Sequence, residues 1–198
     1  MDDIVEQAMR KWPNVPHCYG WLGLDARGAW RMRDEQTQRQ NLPGDKIMHT
    51  ALVGFINRNY KADEQGCWYF QNGPQRVYVD LELTPYIAHT DPALGFVLQT
   101  GEAMSDIEAV MLTDEGRLLL IAPRQVAAID DRDLAQALAD LRMDGEVLND
   151  ETLLDWMANP SDQKILTWQF AETALTVSRI ASDNIAAHFG FVPKPRQT

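Results

Sequence analysis

The sequence predicts an α+β fold: two related β-hairpin/helix units with mainly antiparallel sheets, plus terminal helices. Three observations carry this. In Arg76–Glu82, Val77, Val79 and Leu81 alternate with Tyr78, Asp80 and Glu82, the period of two that a half-buried strand requires. Ile47, Met48, Ala51, Leu52, Phe55 and Ile56 recur at helical spacing and draw one apolar stripe. Val110–Leu118 then echoes Leu22–Trp30, with the turn glycines Gly116 and Gly28 in register. Residues 1–198 are read as a single compact α+β domain, with internal units at about 19–104 and 105–192.

The elements follow in order. Ile4, Val5, Ala8, Met9 and Trp12 give a short amphipathic helix over 2–11, stopped by Pro13. Tyr19–Leu24 and Ala29–Met32 flank an Asp/Gly turn and make a hairpin. The polar stretch 33–43 reads as a loop, and Asp45 is the expected cap of the helix that follows. Cys67–Phe70 and Arg76–Leu81 surround Gln71-Asn72-Gly73-Pro74, a strong turn signal, with further strands at 85–89 and 95–99. After the second hairpin, a helix is expected over about 131–142, capped by Asp130 or Asp131, with Leu134, Leu138 and Leu141 inward. Asn149/Asp150 precede a helix around Leu153–Met157. Segments 164–170 and 174–180 read as a closing hairpin, against the alternative of one long helix to His188, and 182–189 as a short helix.

Composition narrows the function classes. Hydrophobic residues make up 45% and charged ones 24%, ordinary globular values, so the chain can build a core. The net charge of −11, from 29 acidic against 18 basic residues, repels phosphate backbones, and the expectation is no nucleic acid. No run of apolar residues is long enough to span a membrane. The N-terminus has acids where an export signal needs bases, and two cysteines make no disulfide framework, so a cytoplasmic protein is expected.

Four stretches lie in a familiar order: Asp25–Trp30 (a D-x-x-G-x-W turn), Ala51–Ile56, Cys67–Phe70 and Val79–Ala88. Through them residues 19–142 resemble a bacterial, mostly proteobacterial, family of uncharacterised proteins built from two repeated β-rich motifs with helices. Glu82, Pro85 and Tyr86 match that family's strand-ending pattern; Leu83 stands where it usually has a second acid, and the 33–43 loop is longer. The resemblance implies the fold and, for function, a ligand-binding or signalling role.

No constellation dictates a reaction. Asp80, Glu82, His89 and Asp91 are the residue types of a divalent-metal or acid–base site, but acids on the outer face of a half-buried strand are the ordinary case. His17, Cys18 and Cys67 fall short of a structural zinc set, which takes four ligands at characteristic spacings. None of the four serines sits in G-x-S-x-G, and there is neither a P-loop nor a G-x-G-x-x-G fingerprint. The expectation is therefore no catalytic residue, no metal and no cofactor.

Aromatic residues concentrate in the first β unit, and neighbouring rings along Trp68-Tyr69-Phe70 must face opposite ways. The preferred reading is a non-catalytic ligand-binding or regulatory module. Its candidate site is an aromatic groove between the two units, lined by Trp30, Trp68, Tyr78 and Tyr86, with Glu82 nearby and Arg76 or Arg124 as polar anchors. The partner would be a small molecule or a protein. The first alternative is an assembly module, with a homodimer through strand edges or the Trp156/Trp168 region. The second is a metal-assisted enzyme using Asp80, Glu82, His89 and Asp91.

Overall fold

Period-two segments at both ends of the chain pair into two separate sheets. The computed structural model describes residues 2–159, 163–170 and 173–197. Residues 1–85, 99–102 and 186–198 form one unit, and 86–98 with 103–185 form the other.

The first unit opens with α1 (Asp3–Lys11), then β1 (Cys18–Leu24) and β2 (Trp30–Met32). A short helix α2 (Glu35–Arg39), strand β3 (Asp45–Lys46), helix α3 (Thr50–Arg58) and strands β4 (Tyr60–Ala62), β5 (Trp68–Asn72) and β6 (Gln75–Leu81) complete it. The sheet runs β3-β2-β1-β6-β5-β4. Its central pair, β1 and β6, is parallel, with Gly23 opposite Asp80; every other pair is antiparallel. Leu22, Leu24, Trp30, Phe70, Val79 and Leu81 are buried, as the alternation along β1 and β6 requires.

Two expectations for this unit are corrected. The 33–43 segment is not all loop: Asp34 accepts a hydrogen bond from the Thr37 N–H at 2.8 Å and starts α2. Nor does Asp45 cap the long helix. Residues 45 and 46 pair with Met32 and Arg31, and the Ile47 N–H continues that ladder to the Trp30 carbonyl. Backbone committed to a ladder is lost to a helix. Helix α3 therefore begins at Thr50, capped by His49 Nδ1 accepting from the Leu52 N–H, and Met48 is left exposed.

The second unit contains β7 (Tyr86–Asp91), β8 (Gly95–Leu98), β9 (Ala109–Thr113), β10 (Leu118–Ala122) and β11 (Gln125–Ile129). After α4 (Asp131–Leu138) come β12 (Leu141–Met143), β13 (Glu146–Val147), α5 (Asp150–Ala158), β14 (Leu166–Phe170) and β15 (Thr173–Ile180). A 3-10 turn at Ser182–Asn184 leads into α6 (Ile185–Phe189). The sheet order is β13-β12-β14-β15-β9-β10-β11-β7-β8. Strands β7 and β8, grouped with the first unit on sequence order, hydrogen-bond here instead. Within this sheet β11-β10-β9-β15-β14-β12 follows the same order and sense as β3-β2-β1-β6-β5-β4, with one parallel pair, β9 and β15, at its centre. The two leading hairpins also share a turn. Asp25 bonds Ala29 and Gly28 as Thr113 bonds Arg117 and Gly116, and both glycines lie in the left-handed region, at φ 75 and 78.

The closing hairpin is β14–β15, with its connection, 171–172, outside the described residues. Trp168 and Phe170 stack at 5.1 Å within the core, and the Trp168 indole donates to the Ala137 carbonyl. The helix expected over 131–142 is too long: α4 stops at Leu138. Leu141 and Met143 are buried on either side of Arg142, a period of two, because they pair with β14 as the strand β12. Among the described residues no helix is long and apolar enough to cross a membrane.

Asp130 caps α4 and is fully buried, accepting from the Arg132 backbone and guanidinium and facing His89 Nδ1 at 3.1 Å. Burial alone would raise its pKa; hydrogen bonds from Arg132 override this and hold it at about 2, against 3.8 for an ordinary aspartate. A depressed folded value gives stability that is present above pH 3.8 and lost as pH falls toward 2, about 2 kcal/mol in all. Asp130→Asn, which can still cap the helix, is expected to remove that increment at neutral pH. Acid titrations followed by circular dichroism should then show a flatter limb between about pH 4 and 2; superimposable limbs would refute the assignment.

Candidate functional site

Strand alternation assigns the first sheet two unlike faces. Leu22, Leu24, Trp30, Trp68, Phe70 and Val79 share one; Tyr69, Arg76, Tyr78, Asp80 and Arg31 share the other, as the pairings Tyr69–Tyr78 and Gly23–Asp80 fix. The residues singled out from sequence divide between them. Trp30 and Trp68 meet through Tyr60, whose ring lies 5.0 Å from one and 4.8 Å from the other. Trp30 is 2% exposed, and its indole donates to Asn57 Oδ1 at 2.7 Å. It is a core residue. Tyr86 heads β7 and packs against the core of the second unit, and Arg124 is exposed in the turn between β10 and β11.

Arg76 and Tyr78 do come together. Tyr78 stacks on Tyr19 at 4.7 Å and donates its hydroxyl to Asp63, while Arg76 lies over the Tyr69 ring at 4.6 Å. Burial first, then the hydrogen bond to Asp63, raises the Tyr78 hydroxyl above its ordinary pKa. Burial and the Asp63 charge likewise raise the Cys67 thiol, which keeps it protonated and unreactive. With Tyr69, Ala62, Asp63, Glu64 and Gln65, Arg76 and Tyr78 line an open concavity of about 720 Å³, in which Tyr78 and Asp63 are bonded to each other.

The concavity with spare polar groups lies further along the same face, at the carboxyl ends of β1 and β6. It encloses about 290 Å³. Gly23 forms its floor: a side chain there would stand in ordinary contact with Asp80, Arg31 and Arg33, so hydrogen in place of a methyl leaves the space open. Arg31 and Arg33 rise from one side, Glu82 from another, and Lys194 from the C-terminal segment, which the bond from the Leu81 N–H to the Pro193 carbonyl ties to β6.

An ion triad joins this lining to the C-terminal segment, its Asp80–Arg33 pair buried and Arg196 exposed. Asp80 accepts from Arg33 Nη1 at 2.6 Å and from both terminal nitrogens of Arg196 at 2.7 and 3.1 Å. Its side chain is 7% exposed and that of Arg33 is 9% exposed. The hydrogen bonds that Arg196 donates to Asp80 raise its pKa further above the ordinary value. Arg33 Nε also donates to the Leu42 carbonyl at 3.0 Å. Arg31 Nε reaches Asp25 at 2.7 Å, and Glu82 accepts from the Ala26 N–H at 3.0 Å.

The four residues of the metal-assisted reading are each engaged separately: Asp80 in the triad, Glu82 on the Ala26 amide, His89 on Asp130, and Asp91 on the Ala93 and Leu94 amides. Among the described residues no group of three His, Cys, Asp or Glu side chains is placed to hold a metal ion. Cys18 and Cys67 are free thiols, and His17 lies edge-on to Tyr78. Trp156 and Trp168, named for an assembly surface, are buried in the second unit.

Comparison with known proteins places this geometry in a family. The DUF2944 model, described as "Protein of unknown function (DUF2946)", matches residues 1–196. The chain belongs to that family. Among solved structures it is similar to a DUF1285 family protein from Silicibacter pomeroyi DSS-3, with a TM-score of 0.50 and 11% identity over 90% of this chain and 96% of that one. A DUF1285 family protein from Shewanella baltica OS155 matches with a TM-score of 0.40 and 14% identity over 59% of this chain and 88% of that one. The first likeness is one of fold alone. No curated protein matches. The resemblance to an uncharacterised family is thus borne out, together with the α+β fold.

Of the residues proposed from sequence, Glu82 and, from the metal-assisted reading, Asp80 line the pocket, while Arg76 and Tyr78 line the wider concavity beside Asp63; Gly23, Arg31, Arg33 and Lys194 were missed. A signal existed for three of them. A glycine between Leu22 and Leu24 inside a strand often marks a close approach, and arginines two apart at 31 and 33 must share a face.

Proposed function

We propose that the chain is a non-catalytic, regulatory ligand-binding module whose site is the pocket over Gly23. The observation that supports this most is the state of its carboxylates. Asp25 and Asp80 have both oxygens held by the protein's own donors and so stand ready neither as base nor as nucleophile, while Glu82 is tied by one oxygen to the Ala26 amide. A volume of about 290 Å³ suits a small metabolite. The repeated strand order supports reading the two units as a structural repeat, and two free thiols suit a reducing, cytoplasmic setting.

Gly23→Val tests the site. The Cβ of valine is accommodated there, since Gly23 is not in the left-handed region and the nearest atom to an added Cβ is 3.5 Å away, and its two methyls occupy the space beyond. A metabolite library screened by thermal shift is expected to give hits on the wild type that vanish in the variant, with melting temperatures of the unliganded proteins within about 3 °C. Hits that survive Gly23→Val would place the site elsewhere.

A further inference from the structure

We infer that this pocket takes a small organic anion, a carboxylate or phosphate ester carried on a short apolar body. This rests on the binding reading above and adds the chemistry of the ligand. The argument is an accounting of donors and acceptors. Asp25 Oδ1 accepts from the Arg27 and Ala29 amides and Oδ2 from Arg31; both oxygens of Asp80 are held by Arg33 and Arg196; Glu82 Oε2 is held by Ala26, which leaves Glu82 Oε1 as the one carboxylate oxygen of this lining without a hydrogen bond among the described residues. The cations are less used. Arg31 gives Nε to Asp25 and Nη1, weakly at 3.4 Å, to the Gly44 carbonyl; Arg33 gives Nε to Leu42 and Nη1 to Asp80. Among the described residues, Nη2 of Arg31, Nη2 of Arg33 and the Lys194 ammonium have no hydrogen-bond partner. Three donors carrying positive charge therefore border one small space, on a chain whose net charge is −11.

Such donors make short, strong bonds to oxyanions, and guanidinium forks match the geometry of carboxylate and phosphate. Arg33 is held at two points before any ligand arrives, so little ordering entropy is lost on binding. Leu42 and Pro43 form an apolar rim, which favours an organic body over an inorganic ion.

The test is calorimetric titration of the full chain with butyrate, benzoate, phenyl phosphate and inorganic phosphate, with butyramide, benzamide and butylammonium as uncharged and cationic counterparts. The organic acids are expected to bind at least tenfold more tightly than their amides, with no binding of butylammonium. Lys194→Gln, an exposed position, is expected to weaken the acids about threefold to tenfold and to flatten their salt dependence. Arg31→Gln should weaken them more, with circular dichroism checking that it folds. If the amides or butylammonium bind as well as the acids, and Gly23→Val abolishes this, the pocket stands and the anion inference falls. Inorganic phosphate matching the organic acids would overturn the apolar half. Acids that bind equally to wild type, Lys194→Gln and Gly23→Val would overturn the inference and the site together, as would no binding of any compound in both this panel and the library.

Discussion

Asp80→Ala is expected to destabilise the first unit by about 3–5 kcal/mol, because it strands a buried guanidinium. Arg33 is 8% exposed, and among the described residues its Nη1 reaches no other acceptor than the Asp80 carboxylate. Arg196, which is half exposed, can turn to water when its partner is lost; Arg33, its side chain 9% exposed and held at Leu42, meets water only through the pocket it lines. The penalty is therefore the cost of an uncompensated buried charge rather than the net worth of the pair. For a chain of this size it corresponds to a fall in melting temperature of roughly 6–20 °C. The double variant Arg33→Met/Asp80→Leu should regain much of the loss, since matched apolar side chains carry no desolvation cost. Calorimetric scans of the three proteins decide the matter. A single variant within about 1 kcal/mol of the wild type would mean that the triad is not a buried unit.

Trp30→Ala should cost about 3–5 kcal/mol, the usual loss for emptying a buried aromatic site. Trp30→Phe keeps most of the volume but leaves Asn57 Oδ1 without its donor, a loss of about 1–3 kcal/mol. Asn57 also donates to the Gln99 carbonyl at 3.1 Å, so the amide cannot simply turn its nitrogen toward the vacated position. Urea denaturation gives both values. An aromatic ligand platform would behave differently: Trp30→Phe would lose binding while stability stayed near wild type.

The contrast between Trp30 and Gly23 shows what was legible in the residues and what was not. Hairpins and strands could be read because their signals are local: the Asp/Gly turn at 25–28 and the alternation along 76–82 each occupy fewer than ten residues. Element ends were harder to place. The apolar stripe at Ile47–Ile56 is real, but the backbone of its first residue is drawn into the ladder with β2, and nothing in the stripe records that competition. Leu141 continues the spacing of Leu134 and Leu138, yet a strand partner 25 residues on, Leu166–Trp168, takes it out of the helix. The pocket was the least legible part. Its members come from 23–33, 41–43, 80–82 and 194, joined only when β1 lies parallel to β6 and the C-terminal segment returns. Rings are conspicuous in a sequence, and they drew attention to residues that the fold spends on its interior.

The C-terminal segment also bears on how the chain matures. Asp80 and Arg196 are 116 residues apart. During synthesis at about 5–20 residues per second, the strand bearing Asp80 waits on the order of ten seconds for the second of its guanidinium partners to be made. Until then the emerging sheet has a carboxylate only half neutralised at its centre and a pocket without Lys194. The nascent chain is thus expected to lack both the Lys194 ammonium at the pocket and the Arg196 partner of Asp80 until translation has passed residue 196.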